Sequence, residues 1–275
     1  EIDLRVLFNI IWNKKVFVFI FTFIVTLLAI LYVYSKTPIY EVESVLKIGS
    51  ITTNGNTRQL ESSPTLTNKI NIIYNINIPK EELTRLSNIS IIKGSVNLIK
   101  IKVTSTSNQE ASLKLNSIVK SIREEHKIKI NNYLKIMNDR LSLLNIEEKR
   151  FTEENIILNE NINKKENSIN TILKSNPAVA AVYTMNLNAK TNELIELKNK
   201  AYELRNDISK IKIAMLSENI QETKILGDIT KSKSPIKPKK ILIIVVAFIT
   251  GFILSIFLVF LMSFIKNLRQ SIKNQ

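Results

Sequence analysis

The chain has 275 residues, a net charge of +15, no cysteine and a single histidine. The lack of thiols excludes disulfides and thiolate zinc sites, and His126 alone builds no histidine cluster, so it reads as a solvated or packed side chain. The basic balance, pI about 9.8, raises nucleic acid as a partner. The excess, however, is spread along a chain rich in Lys, Asn and Ile, and no basic helix carries interleaved aromatics, so no nucleic-acid partner is expected.

Residues 1–15 form a short segment bearing Arg5, Lys14 and Lys15 ahead of an uncharged run, Val16 to Tyr34. At 1.5 Å per residue the run reaches roughly 29 Å, the thickness of a bilayer's hydrocarbon core. It is longer than a signal peptide's apolar stretch, and Ser35-Lys36-Thr37 is no small-x-small cleavage site, so it predicts an anchor.

Residues 35–107 predict a membrane-proximal α/β part. Tyr40 to Ile48 places Tyr40, Val42, Leu46 and Ile48 on one side of a period-two pattern, a strand leaving the membrane directly. Gly49 to Pro64 reads as loop, and Thr65 to Leu86 as helix interrupted near Pro79. From Val96 to Ser105, Ile99, Ile101 and Val103 alternate with Lys100, Lys102 and Thr104, a second strand.

Residues 108–226 predict a long helical hairpin with its tip near 176–182. No Pro or Gly occurs from Asn108 to Ser175, and Leu134, Met137, Leu141, Leu144, Phe151, Leu158, Ile162, Ile169 and Ile172 make a coiled-coil seam broken by Glu148, Asn155 and Lys165. Asn176-Pro177 is expected to end that helix. A second seam follows: Tyr183, Leu187, Leu194, Leu197, Ala201, Leu204, Ile208, Ile211 and Met215, with Lys190 the exception. Ile118, Ile122, Ile130, Ile136, Ile156, Ile157, Val179, Val182 and Ile195 fall off the seams. Their apolar area stabilises the chain only if another surface covers it, so a homo-oligomer with hairpins side by side is expected.

A Pro/Lys-rich junction, 227–240, leads to a second span at 241–265 and a tail at 266–275. Basic residues flank both short termini, which places them on the cytoplasmic side with the middle across the membrane, since long segments translocate regardless of charge. Lys231, Lys233, Lys237, Lys239 and Lys240 form a collar suited to lipid phosphates. Gly251 and Ser255, four apart in the span, permit close helix approach. No GxxxxGK[ST] loop, GxSxG elbow or HExxH is present, Glu124-Glu125 and Glu153-Glu154 diverge on helices, and neither a catalytic residue nor a cofactor or metal site is expected.

The whole frame is α+β: two transmembrane helices flanking a membrane-proximal α/β domain with a long helical hairpin. With Glu1-Ile2-Asp3-Leu4 before the first span, Pro38-Ile39-Tyr40-Glu41 entering a strand, Val103-Thr104-Ser105 before the long helix, and Pro238-Lys239 followed eleven residues later by Gly251, the chain resembles the polysaccharide co-polymerase family, the Wzz-type chain-length determinants. The family's last signature glycine is Ser255 here, and Ile229 and Ser232 stand where its upstream prolines would be, with Pro235 between. The resemblance implies a non-enzymatic oligomer of the bacterial inner membrane with a periplasmic middle. Such an oligomer sets the length of a lipid-linked polysaccharide such as O-antigen beside a Wzy-type polymerase. Pro235, Pro238, Lys239, Gly251 and Ser255 would then pack helices within the oligomer or against the polymerase, and the lysine collar could hold lipid phosphate or the carrier's diphosphate.

The related exopolysaccharide tyrosine kinases carry a nucleotide-binding domain after the second span, and none is expected within this sequence, although a longer reading frame with GxxxxGK[ST] would revive that reading. A partner of a separately encoded tyrosine kinase in capsule polymerisation and export, or the membrane part of such a kinase, is the alternative reading. A two-span periplasmic sensor and a secretion-channel adaptor come after it.

Overall fold

The computed structural model describes residues 4–76, 79 and 82–273. Glu1, Ile2 and Asp3 of the opening tetrad lie outside the described residues. A short helix α1 (Leu4–Asn13) leads into α2 (Lys15–Ser35), the first candidate span, and the chain passes within five residues into strand β1 (Tyr40–Lys47). Val42, Ser44, Leu46 and Ile48 are buried along one side of β1. Glu41 and Glu43 on its other side meet Lys102 at 2.8 and 3.1 Å.

The stretch expected as loop after Gly49 contains a second hairpin. Strands β2 (Ser50–Thr53) and β3 (Asn56–Gln59) pair through Asn54-Gly55. These two residues have φ of 51° and 78°, the left-handed pair that tight hairpin turns require and that Asn-Gly supplies. Polarity hid the strands, since β3 presents Asn56, Thr57 and Arg58 to solvent and needs no apolar alternation.

Helix α3 (Ser63–Asn71) begins under a cap in which Ser62 Oγ accepts the Thr65 N–H, with Pro64 in the first turn. The helix continues only as a wider turn to Ile76, and residues 77, 78, 80 and 81 lie outside the described residues. The expected helix up to Leu86 is therefore overturned at its end. Leu86 belongs to strand β4 (Arg85–Ile91), which pairs antiparallel with β5 (Leu98–Ser105).

Helix α4 runs from Asn108 to Ile172, 65 residues and about 98 Å at 1.5 Å each. Ser107 caps it by accepting the Glu110 N–H at 3.2 Å. Helix α5 (Pro177–Ala214) returns alongside, capped by Asn176 Oδ1 on the Val179 N–H with Pro177 in its first turn. Asn176-Pro177 thus opens α5 and does not end α4, and the tip lies at 173–176, just short of the expected 176–182. Pro fits there because first-turn N–H groups have no helical acceptor.

Strands β6 (Ile220–Gln221) and β7 (Lys224–Lys231) follow, and α6 (Lys240–Lys273) holds the second span. The main sheet has the order β4-β5-β1-β7, all antiparallel, and a smaller one the order β3-β2-β6. β7 straddles the boundary at 226/227 drawn from the sequence. Roughly the first four turns of α4 and all of α3 cover one face of the main sheet, burying Val42, Leu46, Leu66, Ile70, Leu86, Ile99, Ile101, Leu115 and Ile118 in one core.

Ile118, Ile122 and Ile130, expected to be uncovered, are buried. They sit near the foot of α4, where the sheet and β7 close over the helix, and the heptad reading beginning at Leu134 could not see that cover. Farther out the seam holds. Ile162, Ile169, Leu194, Ala201, Ile208 and Ile211 are buried between α4 and α5, whereas Tyr183 is exposed and Ala180 takes the buried place beside it. Ile136, Ile156, Ile157, Val179, Val182 and Ile195 stay exposed, joined by Leu143 and Ile146. Ile136, Leu143, Ile146 and Ile157 are 7, 3 and 11 residues apart, so they line one stripe of α4.

Candidate functional site

The junction between sheet and membrane is laced to β1. Ile39 and Lys237 form an isolated bridge, with Ile39 N donating to Lys237 O at 2.9 Å and Ile236 N to Ile39 O at 2.7 Å. Ser232 N donates to Glu41 O at 2.9 Å, and Ser232 Oγ accepts the Glu41 N–H at 3.0 Å. Asn108 Nδ2 donates to Ser232 O at 2.9 Å, tying in the start of α4. A proline at 232 would lack the N–H used here, which explains in physical terms why serine suits the position.

Within this frame Lys231, Lys233, Lys237 and Lys239 are exposed, Lys240 is half-buried, and Pro235 and Pro238 are half-buried between them. Lys240 Nζ lies 4.2 Å from the ring centre of Tyr34, and Lys36 Nζ 4.9 Å from that of Tyr32. The Lys240 contact links the ends of the two spans, whereas that of Lys36 stays within the end of the first, and both ammonium groups lie where head groups would.

The spans α2 and α6 pack on each other and expose nearly all their remaining apolar surface, as Phe19, Phe23, Phe252 and Phe257 show. A Cβ on Gly251 would sit 3.1 Å from Val25 Cβ and 3.6 Å from Thr22 Cα. Ser255, one turn on, is fully buried and turns its hydroxyl to Phe252 O at 2.6 Å. The close approach at Gly251 is therefore made within the chain, against α2. Thr22 and Val25 are the partners that sequence reasoning missed, although a threonine inside a run of large apolar side chains was a signal.

A polar clasp joins the foot of α4 to both sheets. Gly49 N donates to Thr223 Oγ1 at 2.8 Å, and the Thr223 hydroxyl lies 2.6 Å from His126 Nδ1. His126 Nε2 lies 3.3 Å from Glu61 Oε2, which also receives Lys69 and Lys129, each at 2.8 Å. The network assigns the proton to Nε2, because an unprotonated Nε2 would face a carboxylate. Burial holds His126 below its ordinary pKa, Lys129 and Lys69 add to this, and Glu61 pulls the other way. Burial alone would raise Glu61, but Lys129 and Lys69 outweigh it and hold the carboxyl at about 2. Gly49 permits the approach, since a Cβ there would overlap Gln221 O and Thr223 N. Glu125, read as solvated, binds Lys69 at 2.8 Å and Lys129 at 3.4 Å. Nothing in the sequence links Glu61, His126 and Thr223, which only the fold brings together.

Two apolar helices long enough to cross a membrane, an antiparallel sheet knitted to both and a hairpin standing on that sheet define a two-span α+β membrane protein. Residues 1–93 match the family model Wzz, chain length determinant protein. Residues 181–264 match GNVR, the "G-rich domain on putative tyrosine kinase". By sequence, the chain is thus similar toward its two ends to the chain length determinant family and to the GNVR family.

Among solved structures it is similar to a full-length bacterial polysaccharide co-polymerase, at 14% identity over 97% of this chain and 98% of that one, TM-score 0.46. It is also similar to a fragment of WzzB, a polysaccharide co-polymerase from Salmonella Typhimurium, at 14% identity over 73% and 100%, TM-score 0.27. A point mutant of the Shigella flexneri lipopolysaccharide O-antigen chain-length regulator is 12% identical over 73% and 100%, TM-score 0.27. No curated protein matches the chain.

Proposed function

We propose that this protein regulates the length of a lipid-linked surface polysaccharide, as a non-enzymatic homo-oligomer of the bacterial inner membrane working beside a Wzy-type polymerase. The observation that carries this reading is the match to the chain length determinant family over 1–93, the stretch that holds the first span and the first strands of the sheet. The basic residues flanking both termini support cytoplasmic ends and a periplasmic middle. The apolar stripe through Ile136, Leu143, Ile146 and Ile157 supports side-by-side association of hairpins.

In this reading Pro235 and Pro238 set the path of the chain into α6, and Gly251 and Ser255 lock α6 against α2 so that the pair packs as one unit in the oligomer or against the polymerase. Lys231, Lys233, Lys237, Lys239 and Lys240 hold lipid phosphates or the diphosphate of the glycan carrier, at about 1 kcal/mol per charge near a surface. Lys239→Glu combined with Lys240→Glu is expected to shift the polysaccharide length distribution on a gel, and an unchanged distribution would remove the collar from the mechanism.

The GNVR match over 181–264 favours a second reading, a partner in capsule or exopolysaccharide polymerisation and export that works with a tyrosine kinase. Deletion followed by gel analysis of surface polysaccharide separates the two. Collapse of a clustered ladder to a random one supports chain-length control, an unchanged ladder with lost capsule export supports the second reading, and no change in either overturns both.

A further inference from the structure

At the end of the spans away from the Tyr34–Lys240 contact, α1 leaves one face without cover. Lys14 departs from helical geometry (φ −113°, ψ 17°), so α1 is a separate helix and not an extension of the span. It packs on α6 and α2, with Ile10 and Ile11 half-buried. Phe8 and Trp12 stay 62% and 58% exposed. Their rings stack at 5.8 Å, and Lys15 Nζ stands 4.6 Å from the Trp12 ring centre. Spacings of four and three put Phe8, Trp12 and Lys15 on one stripe, and Phe19, one turn past Lys15 on α2, is exposed as well. Neither 4–35 nor 240–275 contains Asp or Glu, whereas Lys14, Lys15, Lys266 and Arg269 are exposed at this end. Glu1 and Asp3 precede α1, outside the described residues.

We propose that this stripe is a docking surface for anionic phospholipid in the leaflet next to the termini. Phe8 and Trp12 seat in the interfacial layer, and Lys14, Lys15, Lys266 and Arg269 hold the phosphates. The order along the stripe decides for lipid. A protein helix seated there would bury the Lys15 ammonium, which is costly without a paired carboxylate. A leaflet instead offers acyl chains to Phe19, an amphipathic boundary to the indole and head groups to the cations. The Lys15 ammonium already reaches back over Trp12, away from the span, as a lysine does when its stem lies in hydrocarbon and its charge in the head groups. The proposal rests on the two-span reading and adds, across the membrane from the lysine collar, a second surface that selects lipid by charge.

The test uses the full chain in phosphatidylcholine vesicles and the fluorescence of Trp12, the only tryptophan in the sequence. Dibromo-phosphatidylglycerol and dibromo-phosphatidylcholine serve as quenchers at equal mole fraction. The expected result is quenching roughly twofold or more stronger by the anionic lipid. Lys14→Gln combined with Lys15→Gln should remove about half of that preference or more. Salt at about 1 M, where the screening length falls to about 3 Å, should reduce it too. Circular dichroism confirms that the double variant keeps its helices. Equal quenching by the two lipids would overturn the proposal, leaving an aromatic belt with no head-group preference, and so would an anionic preference that survives the double substitution. Trp12 quenched by neither lipid would overturn it as well and point to a protein partner on α1. None of these outcomes alters the polysaccharide ladder of the deletion strain, so failure of the lipid surface and failure of chain-length control are read in separate assays.

Discussion

The foot of the molecule and its rod are built from the same amino acids by different rules. Around the sheet, apolar side chains from two helices and three strands converge, and Leu46, Leu66, Ile99, Ile101 and Leu115 lose all contact with solvent. Along the rod each helix has one neighbour, so one stripe is buried and another is left open, with Leu143, Ile146 and Ile157 each more than 60% exposed. The foot is stabilised by its own fold, whereas the rod has the shape of an element completed by association.

The largest expected effect separates these two regions directly. Leu115→Ala removes a fully buried side chain and is expected to cost about 2–5 kcal/mol, while Leu143→Ala on the rod costs under about 0.5 kcal/mol to the monomer. Thermal unfolding of the two variants in the same detergent reads the contrast, and equal losses would erase the distinction. Between the spans, Gly251→Leu forces bulk against Val25 and is expected to cost about 1–3 kcal/mol. Gly251→Ala should fall at the low end, since its methyl would meet Val25 at 3.1 Å.

The double change Leu143→Asp with Ile157→Asp sharpens the comparison from the other side. Monomer unfolding should move by less than about 1 kcal/mol, while multi-angle light scattering should show the multimer shifted toward monomer. A multimer that survives would place the protomer contact elsewhere.

Acid gives the smallest effect. His126 has a folded pKa below its ordinary value and Glu61 one lowered to about 2. Each therefore contributes stability that is complete above its unfolded pKa and is lost as pH falls toward its folded one. The melting temperature should decline first as pH drops below about 6.5 and again below about 4.3. His126→Gln should abolish the first step and Glu61→Gln the second.

Legibility followed the same division. Strands β1 and β5, both spans and the two long helices declare themselves by periodicity, because each has one buried face and a long enough run. The β2–β3 hairpin does not, since neither side of Asn56–Gln59 is buried, although Asn54-Gly55 was a local signal. β4 was lost inside an apolar stretch whose period fits helix as well as strand. β7 went unseen because Gly227 has a φ of 71° and the register shifts beside β1 between Glu43 and Val45, which breaks the alternation. At the junction, the lysines and prolines were visible but Ser232's double bond to Glu41 was not.

The pairing of β1 with β7 sets a timetable for the growing chain. β1 can find β5 once Ser105 has emerged, but its opposite edge stays open until Lys231, almost two hundred residues after Val42, has been made. Contacts so distant along a chain form slowly. The rod must therefore be laid down before the sheet can close, and the last strand to dock is the one that immediately precedes the second anchor, so sealing the foot and seating that anchor become neighbouring events in assembly.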